Sequence, residues 1–546
     1  MTFTSPLEAF LHWEKETPDV AFLNQPVHGK LITYTYKTAG EEIRKIAAAL
    51  QQYGFPERSH IGLLSKNCAH WIMSDIAIMM AGYVSVPIYP TLNADTIHLI
   101  LTHSDARALI IGKLDDYKSQ QKGVPNIQKI SVGLYGENDG DSWEDLVANT
   151  TPVTVPYAQQ TNDLVTLIYT SGTTGTPKGV MHTVGNFTNS AHILADLVEL
   201  PSHPKLFSYL PLSHIAERAG LAMRGLVMGA RIFFAESLIT FAADLERTQP
   251  HSFGAVPRIL TKFQEKILES IPQKKLTTLL KVPILKGIVK KKLKQKLGLS
   301  EARIVVAGAA PVSSTLIRWY EKLGIQVLQM YGMTEDCIVS HTNLHHANKI
   351  GSVGKPLPGV QTKFTAEGEL CIKNNCLMKG YYKSPDITAS VFTDDGYFKT
   401  GDVGEYDHEG YLSLTGRAKD QFKTDKGKYI SPSPIELKLS ANTDIEQICI
   451  VGTGIPQPIA LITASELGKV KKREDLARSL WESVEVLNPK LEKHEKIEKV
   501  VVMKEDWTIE NGLATPTLKV KRNSIEKVHQ PYYKDWFADK AHVIFE

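Results

Sequence analysis

The sequence predicts an α/β protein in two parts: a large N-terminal domain of mostly parallel sheets flanked by helices, then a smaller α+β domain. Three observations lead there. Short apolar, β-rich runs alternate with helix-period stretches through the first 400 residues, the pattern of parallel strands covered on both faces. Several of these runs end in Gly-rich turns, where open α/β sheets carry their ligand-binding loops. From about Asp402 onward the texture changes to hairpin and polar connector.

The strand candidates in the first part are 60–64, 108–111, 164–169, 303–307 and 326–328. Residues 71–90 form the most apolar stretch, but Asp75 and Pro87 interrupt it. A spanning helix needs about 20 uninterrupted apolar residues, so this stretch reads as a buried helix over 71–81 running into a strand over 84–88. In the second part, 405–411 is a hairpin turn, 447–451, 459–463 and 499–503 are strands, and 472–487 is a helix. The polar connector 416–420 puts the boundary at Asp420, dividing residues 1–419 from 420–546.

Composition narrows the class. A chain of 546 residues exceeds one ordinary core. With 42% hydrophobic and 22% charged residues it is neither disordered nor fibrous. Five scattered cysteines fit a reducing compartment, and Cys371 and Cys376 have the wrong spacing for a zinc half-site. Residues 1–19 lack a basic-then-apolar signal, so the expectation is a cytoplasmic protein. A net charge of +3 asks for no nucleic acid. Charge is nonetheless uneven: nine lysines and no acid lie between 274 and 300, interleaved with Leu279, Ile284, Ile288 and Leu293. Two readings stay open, a solvated helical hairpin and a peripheral contact with an anionic membrane surface.

The chemistry begins after the strand at 164–169. Ser171-Gly172-Thr173-Thr174-Gly175-Thr176-Pro177-Lys178-Gly179 offers backbone N–H groups, hydroxyls and one cation to phosphate oxygens. It is not a Walker A loop, which needs Gly-Lys-Ser/Thr opening a helix. Ser313 or Ser314 can cap the helix that follows Pro311. His341, His345 and His346 form no ligand set of known spacing.

Taken together, these motifs resemble the adenylate-forming (AMP-binding) superfamily, most closely the long-chain fatty acyl-CoA synthetases, over most of the chain. The string 169–180 is similar to the superfamily's signature loop. Residues 209–218 resemble the long-chain LPLxHxxER element, 331–335 the YGxTE motif, 400–402 the TGD motif, 416–420 the GRxKD motif and 422–436 the fatty acyl-CoA synthetase signature. Residues 515–522 resemble the long-chain terminal motif, with Leu518 where many relatives carry Gly.

The resemblance implies an ATP-dependent ligase using Mg²⁺ and coenzyme A. It would form a fatty acyl adenylate with release of pyrophosphate, then an acyl-CoA thioester with release of AMP. Thr170, Ser171, Gly172, Thr173, Thr174, Gly175 and Lys178 would hold the phosphates. Gly308, Ala309 and Ala310 would lie against adenine, with Gln329, Tyr331 and Gly332 completing that wall and Tyr331 stacking on the purine. Thr334 would bond the α-phosphate, and Glu335, with Thr174, would hold Mg²⁺. Asp402 would accept from the ribose hydroxyls, assisted by Arg417. Lys519 would be the catalytic lysine, with Lys521 its rival, and Asp420 the hinge. For His214 both a place beside the substrate carboxylate and a structural role stay open. No obligate protein partner is implied. The competing readings are an acyl-AMP ligase, a ligase for a medium-chain or aromatic acid with another acceptor, and a binding protein without catalysis.

Overall fold

The computed structural model describes residues 2–170, 177–515 and 519–546. Two large sheets form its body. The nine-stranded sheet runs, edge to edge, Lys355–Pro356, His341–Thr342, Val327–Tyr331, Ile304–Ala307, Ser252–Ala255, Lys205–Ser208, Arg231–Phe234, Ala21–Val27 and Lys30–Thr35. Its six central strands pair in parallel and only its edges are antiparallel. The eight-stranded sheet is parallel from Leu164–Thr170 through Val84–Ile88, His60–Leu64, Ala106–Ile111 and Gln128–Ser131 to Asp141–Ser142. Lys178–Thr183 and Gly380–Tyr381 extend it antiparallel.

Between the two sheets lies helix Ala69–Met80, buried along its whole length, as a helix apolar on every face must be. Its one acid, Asp75, is satisfied by Arg218. That guanidinium is fully buried and forks onto Asp75 (Nε to Oδ2 3.1 Å, Nη2 to Oδ1 2.6 Å), donates to Ser85 Oγ at 2.6 Å and to Thr166 Oγ1, and lies 5.2 Å from the Phe187 ring. Arg218 therefore fastens two strands and a helix of the core.

Two features depart from the sequence expectation. Residues from Gln361 to Arg417 form a separate antiparallel sheet of four strands, where simple α/β alternation had been expected up to 400. Helix Ser314–Lys322 begins after Ser313, but neither serine caps it with its side chain. Past Asp420 comes a small hairpin (Phe422–Lys423 with Tyr429–Ile430), then a mixed sheet ordered Ile445–Val451, Ile459–Ala464, Lys499–Val502 and Val543–Phe545. Helices Pro432–Leu439 and Arg473–Leu487 pack on one side of it, Arg522–His529 and Tyr533–Ala538 on the other. No helix among the described residues is long and apolar enough to cross a membrane.

Candidate active site

Neighbouring parallel strands of the nine-stranded sheet deliver three turns to one end. Ile304–Ala307 runs into Gly308-Ala309-Ala310, Val327–Tyr331 into Gly332 and Glu335, and Lys205–Ser208 into the His214 segment. The carboxyl ends of parallel strands are where such sheets bind ligands. Two of these turns tolerate no bulk. A Cβ on Gly308 would stand 2.9 Å from Met330 O, and one on Gly332 2.5 Å from Ile338 Cα. Ala309 has φ +65°, a left-handed conformation that costs a non-glycine residue about 1–2 kcal/mol.

Around these turns the structure collects five of the expected side chains. Tyr331 donates its hydroxyl to Asp402 Oδ2 at 2.5 Å, and Arg417 Nε lies 2.9 Å from Asp402 Oδ1. The Asp402 carboxylate holds the Arg417 pKa above its ordinary value. Lys519 is accessible to water yet enclosed by protein. That enclosure, with the Arg417 guanidinium, lowers its pKa to about 8 against the opposing pull of Asp402. Enclosure also pushes His214 down to about 3, and the Lys519 ammonium adds to that push. His214 is thus neutral. Its Nδ1 accepts from Ala216 N at 3.2 Å, so the proton sits on Nε2, ready to donate. The two roles left open for this histidine are compatible, because one nitrogen caps the turn and the other is free to face a substrate.

Glu335 follows the Val327–Tyr331 strand and is held by two contacts. Its Oε1 accepts from Tyr381 Oη at 2.9 Å, and its backbone carbonyl from Met378 N at 2.7 Å. Lys178 Nζ lies 5.2 Å from the centre of the Tyr381 ring. Thr334 is anchored from behind: its carbonyl accepts from His182 Nε2 at 2.7 Å, and burial lowers the His182 pKa to about 4. Tyr381 and His182 escaped the sequence reading. Glu335 is a hard oxygen donor beside the strand that carries Lys178. Magnesium is usually held by one or two carboxylates with substrate phosphates and water, so this donor set fits a nucleotide-borne ion. Among the described residues there is no group of three or more His, Cys, Asp or Glu side chains placed to hold a metal.

Gln329 is buried and accepts from Gly351 N at 3.2 Å. Thr170 and Lys178 pair across the strands that flank residues 171–176. Ser171, Gly172, Thr173, Thr174, Gly175 and Thr176 lie outside the described residues, as does Leu518. Asp420 donates its backbone N–H to Arg417 O at 3.2 Å, closing the turn that leaves the Arg417 strand. His341 is occupied by Tyr406 Oη at 2.6 Å and Ser340 Oγ, and His345 by Gln326 and Arg303 O.

Known proteins match this chain over most of its length. A long-chain-fatty-acid–CoA ligase of Mycobacterium tuberculosis, FadD15, is 27% identical over 94% of this chain and 93% of its own. The peroxisomal long chain acyl-CoA synthetase 7 of Arabidopsis thaliana is 29% identical over 94% and 81%. Among solved structures, the adenylation domain of a carboxylate reductase from Mycobacterium chelonae superposes with TM-score 0.82, at 21% identity, over 98% of this chain and 91% of that one. The anthranilate CoA ligase AuaEII, in complex with anthranoyl-AMP, does so with TM-score 0.78, at 19% identity, over 96% and 97%. The AMP-binding enzyme family matches residues 10–382, and the AMP-binding enzyme C-terminal domain matches 419–538. With two thirds of its length inside the first match, the chain belongs to the adenylate-forming AMP-binding enzymes, close to their long-chain acyl-CoA synthetases.

Proposed function

We propose that this enzyme joins a long-chain fatty acid to coenzyme A in two steps, through an acyl adenylate. The observation that carries the reading is the position of Lys519. It comes from the C-terminal part of the chain and stands within electrostatic reach of Arg417, Asp402 and His214. The long-chain names of the sequence relatives support the choice of acid.

A carboxylate is a poor acyl donor because its leaving group would be oxide. Attack on the α-phosphorus of ATP, with departure of pyrophosphate, makes that oxygen part of a good leaving group. Negative charge grows on the phosphoryl oxygens, so catalysis consists of positioning and cationic stabilisation. In this reading Lys519 bridges the acid and the α-phosphate, the Thr334 hydroxyl bonds that phosphate, and Asp402 accepts from the ribose. Neutral His214 donates from Nε2 to the acid's carboxylate and orients it without competing for its charge. Glu335 would hold Mg²⁺, which when bound offsets charge on the phosphates, and residues 170–178 would cradle the departing pyrophosphate. Removing one such cation costs on the order of 3–4 kcal/mol.

The second step needs Lys519 withdrawn so that the CoA thiol can reach the acyl carbon. Rotation of residues 420–546 about Asp420 would do this. Lys519→Ala is expected to abolish ATP–pyrophosphate exchange while leaving thioester formation from pre-made acyl adenylate largely intact. Equal loss of both half-reactions would sink the assignment. Exchange measured across saturated acids of increasing length and aromatic acids, with product analysis, tests the substrate. Adenylate that accumulates despite CoA would favour an acyl-AMP ligase, and preference for a medium-chain or aromatic acid would replace the fatty-acid reading.

A further inference from the structure

Helices Gln273–Lys281 and Pro283–Lys296 form a hairpin outside the catalytic machinery. Its inner side is packed: Leu276 is buried, and Leu280, Val289 and Leu293 rest on the cluster that holds Phe253, Leu260 and Tyr320. The turn is not. Every residue from Lys281 to Ile288 is exposed, with Val282, Ile284, Leu285 and Ile288 at 42%, 80%, 40% and 51%. Single exposed aliphatics are ordinary, whereas four of them crowded on one turn make a patch that calls for a partner.

Around this patch the charge has one sign. Of the nine lysines between 274 and 300, only Lys296 pairs with a carboxylate among the described residues, Glu246 at 3.1 Å. Lys286, Lys290 and Lys294 recur at intervals of four and therefore stack on one helix face, where like charges repel. Burial and the two neighbouring ammoniums lower the Lys290 pKa. A groove of ≈350 Å³ between the hairpin and helix Ser314–Lys322 is lined by Leu280, Leu323, Lys281, Lys286 and Lys290, with Glu321 the one acid among its lining residues. Among the described residues Lys286, Lys290 and Lys294 form no ion pair with a carboxylate, unlike Lys296.

We propose that the hairpin docks the enzyme on an anionic phospholipid bilayer. Its aliphatic turn enters the boundary between headgroups and acyl chains, and its lysines meet lipid phosphates and carboxylates. A soluble polyanion would leave the four aliphatic side chains without a partner, and a neutral apolar surface would do the same to the lysines. A bilayer with anionic headgroups satisfies both, and stable anchoring generally needs two such signals together. The proposal is independent of the acid the enzyme activates.

The test is flotation of the full-length protein with vesicles of phosphatidylcholine alone or mixed with phosphatidylserine, at low and high salt. Retention is expected on the serine-lipid vesicles and is expected to weaken as salt rises. The double variant Ile284→Glu/Ile288→Glu and the triple variant Lys286→Gln/Lys290→Gln/Lys291→Gln should each reduce it by about tenfold or more. Both sets lie on the hairpin surface, so the melting temperature and ATP–pyrophosphate exchange with a water-soluble acid should match the parent protein. Three results would overturn the proposal. One is no retention on the anionic vesicles, and another is retention that neither variant changes. The third is lysine-dependent retention that survives the glutamate substitutions and is competed by inorganic polyphosphate, which would mark a soluble-polyanion site.

Discussion

Lys519, the lysine proposed to act in adenylation, is held where charge is expensive. Lys519 has a pKa near 8 because enclosure and the Arg417 guanidinium both disfavour its cation, against about 10.4 for a free lysine. The shift is downward, so the ammonium is complete below pH 8 and lost above it. If adenylation needs this cation, kcat/KM for ATP–pyrophosphate exchange should fall as pH rises through about 8, since that quantity reports groups of the free enzyme. Lys519→Arg keeps its charge at higher pH, so whatever activity it retains should show no such fall. A decline at the same pH in both proteins would assign the titration elsewhere. Arg218 is the opposite case, a cation whose work is structural. Its removal strands Asp75, which is 1% exposed and pairs with no other cation among the described residues. Breaking a buried pair from one side costs about 3–5 kcal/mol. Arg218→Met should therefore melt well below the parent protein, and Arg218→Met/Asp75→Leu should recover much of the loss.

The turn from Gly332 to Ile338 shows how an element positions chemistry. Met333 N donates to Asp336 Oδ1 at 2.8 Å, Ile338 N to Met333 O at 3.1 Å, and Cys337 and Ile338 both adopt left-handed backbone. This coil presses Ile338 against Gly332, with no room for a Cβ. Gly332→Ala must shift the segment that presents Thr334 and Glu335. A displacement of about 1 Å there is expected to cost about a hundredfold in kcat for adenylation, with a much smaller change in melting temperature. Comparable losses in both would mean that the glycine serves folding alone. Residues such as Tyr331, Glu335, Asp402 and Arg417 are legible in the sequence because each sits in a short contiguous motif, whether that motif ends a strand (Tyr331, Arg417), follows one (Glu335) or lies within one (Asp402). Tyr381 and His182 are not, because sheet register brings them in: Gly380–Tyr381 pairs with Met181 and Val180 and thereby sets the Tyr381 hydroxyl on Glu335, 46 residues away. No local period reports such a pairing. The antiparallel sheet from Gln361 to Arg417 was hidden for the same reason, its strands being defined by cross-strand partners and not by alternation with helices.

At the scale of the whole molecule, the two parts of the chain meet through ion pairs as well as around Lys519. Glu446, on the first strand of the C-terminal mixed sheet, lies 2.6 Å from Arg258 and 3.4 Å from Lys262, both on helix Pro257–Ser270. Pairs with an accessible partner contribute up to about 1 kcal/mol each, enough to favour this orientation and little enough to break in each turnover. In the proposed cycle this arrangement seats Lys519 for adenylation and must be left for thioester formation. Asp420 is the point about which it would turn, and its N–H bond to Arg417 O belongs to the present orientation. Asp420→Pro fixes φ at that residue, removes the N–H and restricts Lys419 before it. Thioester formation from pre-made acyl adenylate should then slow more than ATP–pyrophosphate exchange does. Asp420→Ala, which keeps both the N–H and a free φ, serves as the control and should retain both half-reactions. Equal impairment of the two steps by proline would count against rotation at Asp420. A matching loss of the thioester step in the alanine variant would assign the effect to the carboxylate instead of the backbone.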